Sequence, residues 1–192
     1  MNWILASGSP RRRELLEMLG VPDLTIRPAS GPERATPGAG PEQTVRELSL
    51  HKAQEVAQTC APEDIIIAAD TIVYLDGAIL GKPKDHDDAV RMLTALSGRE
   101  HIVYTGVAVL RGGELRQAAE QTAVRFRALT PAEIERYIAT GEPMDKAGAY
   151  AIQGLAAMFV IGLDGDYYNV MGLPVCPLAM ILRKFGVKLL GC

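Results

Sequence analysis

An α/β fold built on a mixed sheet is what these 192 residues predict. Apolar stretches of strand length alternate with stretches whose apolar residues recur at helical spacing. Two-residue turns, Asp76-Gly77 and Gly112-Gly113, tie neighbouring strands into hairpins and impose antiparallel pairs, while helical crossovers allow parallel ones. The length suffices for one domain, residues 1–192, to bury a core without disulfides or a structural metal.

Ile4-Leu5-Ala6 reads as a strand that breaks into Ser7-Gly8-Ser9-Pro10 and then into a helix. Ser9 fits the N-cap, Pro10 the first helical position, and Leu15, Leu16 and Leu19 form a stripe ending at Gly20. Leu24 to Ile26 reads as a short strand. Pro28, Gly31, Pro32, Pro37, Gly38, Gly40 and Pro41 then crowd one segment, a loop whose length suits a lid or binding loop, with disorder as the competing reading. Gln43 to Gln58 reads as a helix with Val45, Leu48 and Val56 on one face, and Asp64 to Leu75 as a buried strand. A helix from Asp85 to Ser97 follows, with Asp85 and Asp88 spaced like a capping box and Gly98 as its stop. Strands from Ile102 to Leu110 and Leu115 to Phe126 make the second hairpin. Thr130-Pro131 with Glu133 opens a capped helix running to Gly141. Gly148 to Gly154 and Met158 to Val170 read as short strands, and Leu178, Ile181, Leu182 and Phe185 mark a last helix.

A net charge of -3 argues against a nucleic-acid partner, so local arginines point to a small anionic ligand. Cys60, Cys176 and Cys192 lie too far apart for a disulfide framework or a zinc knuckle, which suits a reducing cytoplasm. The apolar stretch from Leu155 to Leu163 is too short to span a bilayer and no basic leader precedes an apolar core, so a cytoplasmic chain without membrane contact is expected.

Arg11, Arg12 and Arg13 occupy a helix start whose free N–H groups already carry positive charge, and each added cation there costs ~0.3–1 kcal/mol. A phosphate cradled by the small-residue turn would compensate; an exposed basic turn is the plainer alternative. Asp70 sits inside the apolar run Ile65-Ile66-Ile67-Ala68-Ala69 and Thr71-Ile72-Val73. A buried carboxylate there requires a counter-charge, a metal or a proton, and Ala68 and Ala69 leave room for a ligand. A strand-end aspartate paired with a structural arginine is the competing reading. At about 100° per residue Lys52 falls between Leu48 and Val56 on the core face of its helix, to snorkel or to reach a functional anion. Lys82, in Gly81-Lys82-Pro83-Lys84, is held out of the α region by Pro83, as an exposed turn lysine or a directed one. Glu33 in the long loop would bring a second carboxylate to Asp70. With no ligand spacing among His51, His86 and His101, such hard oxygen donors suit magnesium or manganese. Gln153 presents an amide able to match the N3–H and a carbonyl of uracil or thymine, or to bond backbone as an ordinary polar residue.

These segments together resemble the Maf family of nucleoside triphosphate pyrophosphatases, also known as septum-formation inhibitors. The likeness rests on Leu5-Ala6-Ser7-Gly8-Ser9-Pro10-Arg11-Arg12 with Glu14-Leu15-Leu16, Lys52-Ala53, Ala69-Asp70-Thr71, Gly81-Lys82-Pro83, Thr105-Gly106-Val107 and the run from Asp145 to Gly154. It implies an elongated, twisted mixed sheet flanked by helices with a central substrate cleft, as in Maf and ITPase folds, and often a homodimer. The implied reaction is hydrolysis of a nucleoside triphosphate to monophosphate and diphosphate with a divalent cation. By resemblance Asp70 is the proton acceptor, and Arg11, Thr71 and Gln153 set substrate choice. Asp145-Lys146-Ala147-Gly148 and Ile152-Gln153-Gly154 resemble the subgroup acting on dTTP and UTP. The chain departs from the family in having Ser30-Gly31-Pro32 before Glu33, where further acids are usual, and in having Ser49 on the second helix.

The expected mechanism has Asp70 and Glu33 hold the metal ion, Mg2+ or Mn2+, and orient a water against the α-phosphorus. Arg11, Arg12, Lys52, Lys82 and the Ser7 to Ser9 turn neutralise the phosphate oxygens. A regulatory nucleotide-binding protein without turnover, and a pyrophosphatase for ITP or XTP, are the alternative functions.

Overall fold

The computed structural model describes residues 1–32 and 34–189. The chain runs β1 (Trp3–Leu5), α1 (Pro10–Met18), β2 (Leu24–Ile26), α2 (Pro41–Ala57), β3 (Ile65–Leu75), β4 (Ala78–Leu80), α3 (His86–Leu96), β5 (Glu100–Arg111), β6 (Glu114–Phe126), α4 (Pro131–Ile138), β7 (Val160–Asp164), α5 (Tyr167–Met171) and α6 (Val175–Lys184). Seven strands form one sheet in the order β2-β1-β3-β5-β6-β7, with β4 pairing β3 outside that path. The sheet is mixed as predicted: β1 runs parallel to β2 and β3, whereas β3/β4 and β6/β7 are antiparallel. Asp76 and Gly77, at φ 50° and 83°, make the left-handed turn between β3 and β4, and Gly112 and Gly113 do so between β5 and β6. None of the described helices is long and apolar enough to cross a membrane.

The chain divides into two compact units. The first comprises Met1–Asp70, Thr105–Glu120 and the chain from Gly172 onward. In it α2 packs on the sheet through Ala53 and Val56, which meet Ile4, Ala6, Ile66, Ala68 and Ala108. Gly106 explains how close the helix lies: a Cβ there would fall 2.2 Å from the Val45 carbonyl oxygen. The motif glycine is thus a place where helix backbone rests on strand backbone. Ser49, the departure on α2, is fully buried, and its hydroxyl donates to the Arg46 carbonyl at 3.0 Å.

The second unit comprises Thr71–Tyr104 and Gln121–Met171. Here α3 packs on α4, and Phe126 gathers His101, Tyr150 and Phe159 edge-to-face around it. Thr130 and Glu133 form the full reciprocal capping box at the start of α4. On α3 the Asp85 side chain accepts from the Asp88 N–H, but the Asp88 carboxylate reaches back to the Lys84 N–H, so only half of the expected box forms.

Two predicted strands are corrected. Residues 148–154 form turns: Gly148 and Ala149 have φ of 68° and 60°, which no strand accommodates, and the chain runs through short 3₁₀ turns at Glu142–Asp145, Ala147–Ala149 and Leu155–Phe159. The strand expected over 158–170 is confined to β7, because Gly165 turns the chain at φ 126° and the Asp166 carboxylate then accepts from the Tyr168 N–H as α5 begins.

Candidate active site

The parallel strands locate the first group of residues. β1 and β3 align Trp3 with Ile65, Ile4 with Ile66 and Leu5 with Ile67, and the Ala6 N–H extends the ladder to the Ile67 carbonyl. There β1 stops while β3 continues for three residues to Asp70. The Ser7 to Ser9 turn, the start of α1 and Asp70 therefore all lie at the carboxyl end of the parallel strands, where open α/β sheets bind ligands.

On β3, Ile66, Ala68 and Asp70 share one face by the two-residue period, and that face is the one α2 covers. Lys52 lies one turn before Val56 on α2, so its stem crosses the apolar contact and its ammonium ion-pairs with Asp70 Oδ1. Asp70 is 7% exposed. The counter-charge a buried carboxylate requires is thus a lysine, and neither solvent snorkelling nor a structural arginine describes the pair. One expectation fails here: Ala68 and Ala69 are fully buried, and the space beside Ala68 is taken by α2 rather than left for a ligand.

At the start of α1, Ser9 takes the extended N-cap conformation and Pro10 follows it, yet the Ser9 hydroxyl makes no capping bond. The Ser7 hydroxyl accepts from the Ser9 N–H at 3.3 Å and from Arg12 Nη1 at 2.9 Å, while Arg12 Nε donates to the Gly172 carbonyl at 2.7 Å. Arg12 therefore braces the turn against the chain preceding α6. No acid occupies the first turn of α1, and Arg11 in that turn is half-buried.

The long loop is fastened to α2. The Ser30 and Gly31 N–H groups donate to the Glu55 carboxylate and the Thr36 N–H to Glu47, and these bonds hold both carboxyl groups below their ordinary range. A small pocket opens beside the loop, with Leu48, His51, Lys52 and Glu55 in its wall. Glu33 lies outside the described residues.

In the second unit Thr71 is half-buried on β3, and Lys82 is exposed just past β4. The Gly81 carbonyl accepts from the Gly148 N–H at 3.0 Å, which ties the lysine turn to the run from Asp145 to Gly154. Gly148 is required there, because a Cβ would fall 2.7 Å from Val73 Cγ2. Tyr150, Ala151 and Ile152 are all buried, and Gln153 is exposed in a turn closed by the Gly154 N–H on the Ala151 carbonyl. Gln153 is thus outward by its place in a turn rather than by strand alternation. His101, Tyr137 and Glu142, which hold this turn, were missed in the sequence. The one trace they left was His101 at the start of a strand, just before the apolar pair Ile102-Val103.

The donor chemistry bears on a cation. Among the described residues no three His, Cys, Asp or Glu side chains group as a metal cage. Lys52 meets Asp70 at Oδ1, so among the described residues Oδ2 is an oxygen that can supply one hard donor. That fits magnesium or manganese, which bind through one or two carboxylates and complete their shells with water and substrate phosphates.

A sequence profile described as Maf-like protein matches residues 2–185. The chain belongs to the Maf-like family. The dTTP/UTP pyrophosphatase of Caldanaerobacter subterraneus subsp. tengcongensis is 48% identical over 100% of this chain and 93% of its own length. The dTTP/UTP pyrophosphatase of Chromobacterium violaceum is 51% identical over 96% of this chain and 95% of its own. The Staphylococcus aureus Ham1 protein has a similar fold, with a TM-score of 0.55 at 10% identity over 97% of this chain and all of that one.

Proposed function

We propose that this Maf-like chain hydrolyses dTTP and UTP to the nucleoside monophosphate and diphosphate, as a cytoplasmic enzyme. Identity at about half of all positions along the chain with relatives named for that activity carries the reading. The chemistry is assigned to Asp70. Its carboxylate takes the proton of a water whose oxygen bonds to the α-phosphorus, the bond from that phosphorus to the bridging oxygen breaks, and diphosphate leaves with the electron pair. Lys52 keeps Asp70 oriented and supplies positive charge, and Arg11, Arg12, Lys82 and the Ser7 to Ser9 turn are assigned to the phosphate oxygens. Thr71 and Gln153 are assigned to substrate choice. Asp70 and Glu33 would hold a magnesium or manganese ion, which when bound neutralises phosphate charge.

The test is a panel of dTTP, UTP, CTP, GTP, ITP and base-modified pyrimidine triphosphates with Mg2+, read as released diphosphate. Turnover of dTTP and UTP at least about tenfold above the other natural nucleotides, or ~1.4 kcal/mol of discrimination, is expected. Binding without diphosphate release would replace this reading with a regulatory nucleotide binder, and preference for ITP would replace the base assignment.

A further inference from the structure

The turn that carries Gln153 belongs to no strand, so its orientation depends on side chains that grip its backbone. Tyr137, buried on α4, accepts from the Ala151 N–H at 3.3 Å and donates to Glu142 Oε1 at 2.9 Å. The other carboxylate oxygen, Oε2, accepts from the Leu155 N–H at 3.1 Å. One phenol and one carboxylate thus hold both ends of the 151–154 turn. At Gly154 the Glu142 carboxylate lies against bare backbone: a Cβ there would fall 2.3 Å from Glu142 Oε1, so a side chain would displace the carboxylate from the turn. A second anchor holds the entry to the turn, where Tyr150 Oη meets His101 Nε2 at 2.8 Å. Across residues 148–153 the one exposed side chain is Gln153. Everything the clamp fixes is therefore expressed outward through that amide.

We propose that Glu142 and Tyr137 are positioning residues that set the direction of the Gln153 amide and through it the choice of pyrimidine base. The proposal rests on Gln153 as the base reader. An amide distinguishes uracil or thymine from cytosine only while its donor and acceptor ends are held in one sense, because flipping it satisfies the other base. Glu142 is suited to the clamp because an ionised carboxylate only accepts hydrogen bonds, and both of its partners donate.

The experiment measures kcat and KM for dTTP and CTP in Glu142→Gln, Gln153→Ala and the double variant. In Glu142→Gln one of the two acceptors becomes an NH2 group, so one end of the turn is released. A dTTP KM raised about tenfold, a dTTP-over-CTP preference reduced about tenfold and kcat within about twofold are expected, the size of one lost hydrogen bond. In the Gln153→Ala background the same substitution should add less than about twofold, because its effect has no other route. Tyr137→Phe, which keeps its ring against Phe159 at 5.2 Å between centroids, gives the same readout without disturbing the packing of Gly154. Unchanged KM and preference in Glu142→Gln and Tyr137→Phe, beside a Gln153→Ala that loses both, overturns the clamp and leaves the base reader standing. A Gln153→Ala enzyme with unaltered KM and preference overturns the base reader and the clamp with it. Effects of Glu142→Gln and Gln153→Ala that multiply in the double variant also contradict the proposal.

Discussion

Asp64 and Asp70 flank the same apolar run, Ile65 to Ala69, and both are buried, with exposures of 4% and 7%. Their partners differ in kind. Asp64 accepts from the Asn2 N–H at 2.8 Å and Asn2 Nδ2 at 3.0 Å on one oxygen and from the Ala61 N–H at 3.1 Å on the other. Those donors, the Asn2 N–H foremost, hold its pKa below the ordinary carboxylate range, and both oxygens are committed to joining the start of β1 to the approach of β3. Asp70 stands at the opposite, carboxyl end, where among the described residues the Lys52 ammonium meets it on one oxygen. Burial alone does not mark a reactive carboxylate. The role proposed for Asp70 rests instead on a counter-charge that, among the described residues, engages one oxygen, at the end of the sheet where open α/β folds bind ligands.

Lys52→Met breaks the comparison most severely. It leaves Asp70 buried without its counter-charge, so urea unfolding should record a loss of about 3 kcal/mol, and diphosphate release should fall about 100-fold. Combining it with Asp70→Leu should restore most of the stability and none of the activity, since two apolar side chains replace the pair. A Lys52→Met enzyme with wild-type stability would mean that the pair contributes nothing to the fold.

Asp64 should also separate from the buried and exposed histidines by pH. Burial depresses His101 from 6.5 to about 4, so between those values the unfolded chain binds a proton that the folded chain refuses. Stability should therefore be lost as pH falls from 6.5 to 4, by up to about 3 kcal/mol, and be flat below that for this group. Asp64 acts in a lower window: its stabilisation is complete above its ordinary value of 3.8 and is lost as pH falls through its depressed one. Exposed His86, raised first by Asp87 and then by Glu135, acts in the opposite sense, stabilising below 6.5 and losing that effect as pH rises through its folded value. His101→Phe, which keeps an aromatic ring beside Phe126 and Tyr150, should flatten denaturant midpoints between pH 6.5 and 4. An unaltered slope would contradict the assignment.

The first unit was legible in the sequence because its rules are local. Ser9-Pro10 marks α1, the 3.6-residue period marks α2 and places Lys52 on its inner face, and Asp70 announces itself as a charge in an apolar strand. α2 begins at Pro41, two residues ahead of the predicted Gln43, because Pro41 serves as its first helical residue rather than as part of the loop. What was not legible depends on distant partners. Ala68 is small because α2 needs the space, and Gly106 is glycine because the Val45 carbonyl lies against it. Arg12 reads from its position as a cation at a helix start, and its bracing of the Ser7 turn shows only when the Gly172 carbonyl is seen to accept its Nε. The run around Gln153 misled most: its alternating Tyr150 and Ile152 imitate a strand, whereas left-handed Gly148 and Ala149 and the grip of Tyr137 and Glu142 make it a turn.

The contrast between the two aspartates is tested most directly by single-turnover diphosphate release from saturating dTTP in Asp70→Asn and Asp64→Asn, with dTTP affinity measured beside it. Asp70→Asn should lose about 1,000-fold in rate while its affinity stays within a few-fold, and Asp64→Asn should keep its rate and lose about 1–3 kcal/mol of stability. An Asp70→Asn enzyme that turns over like the wild type, or an Asp64→Asn enzyme that loses rate as deeply, would contradict the account.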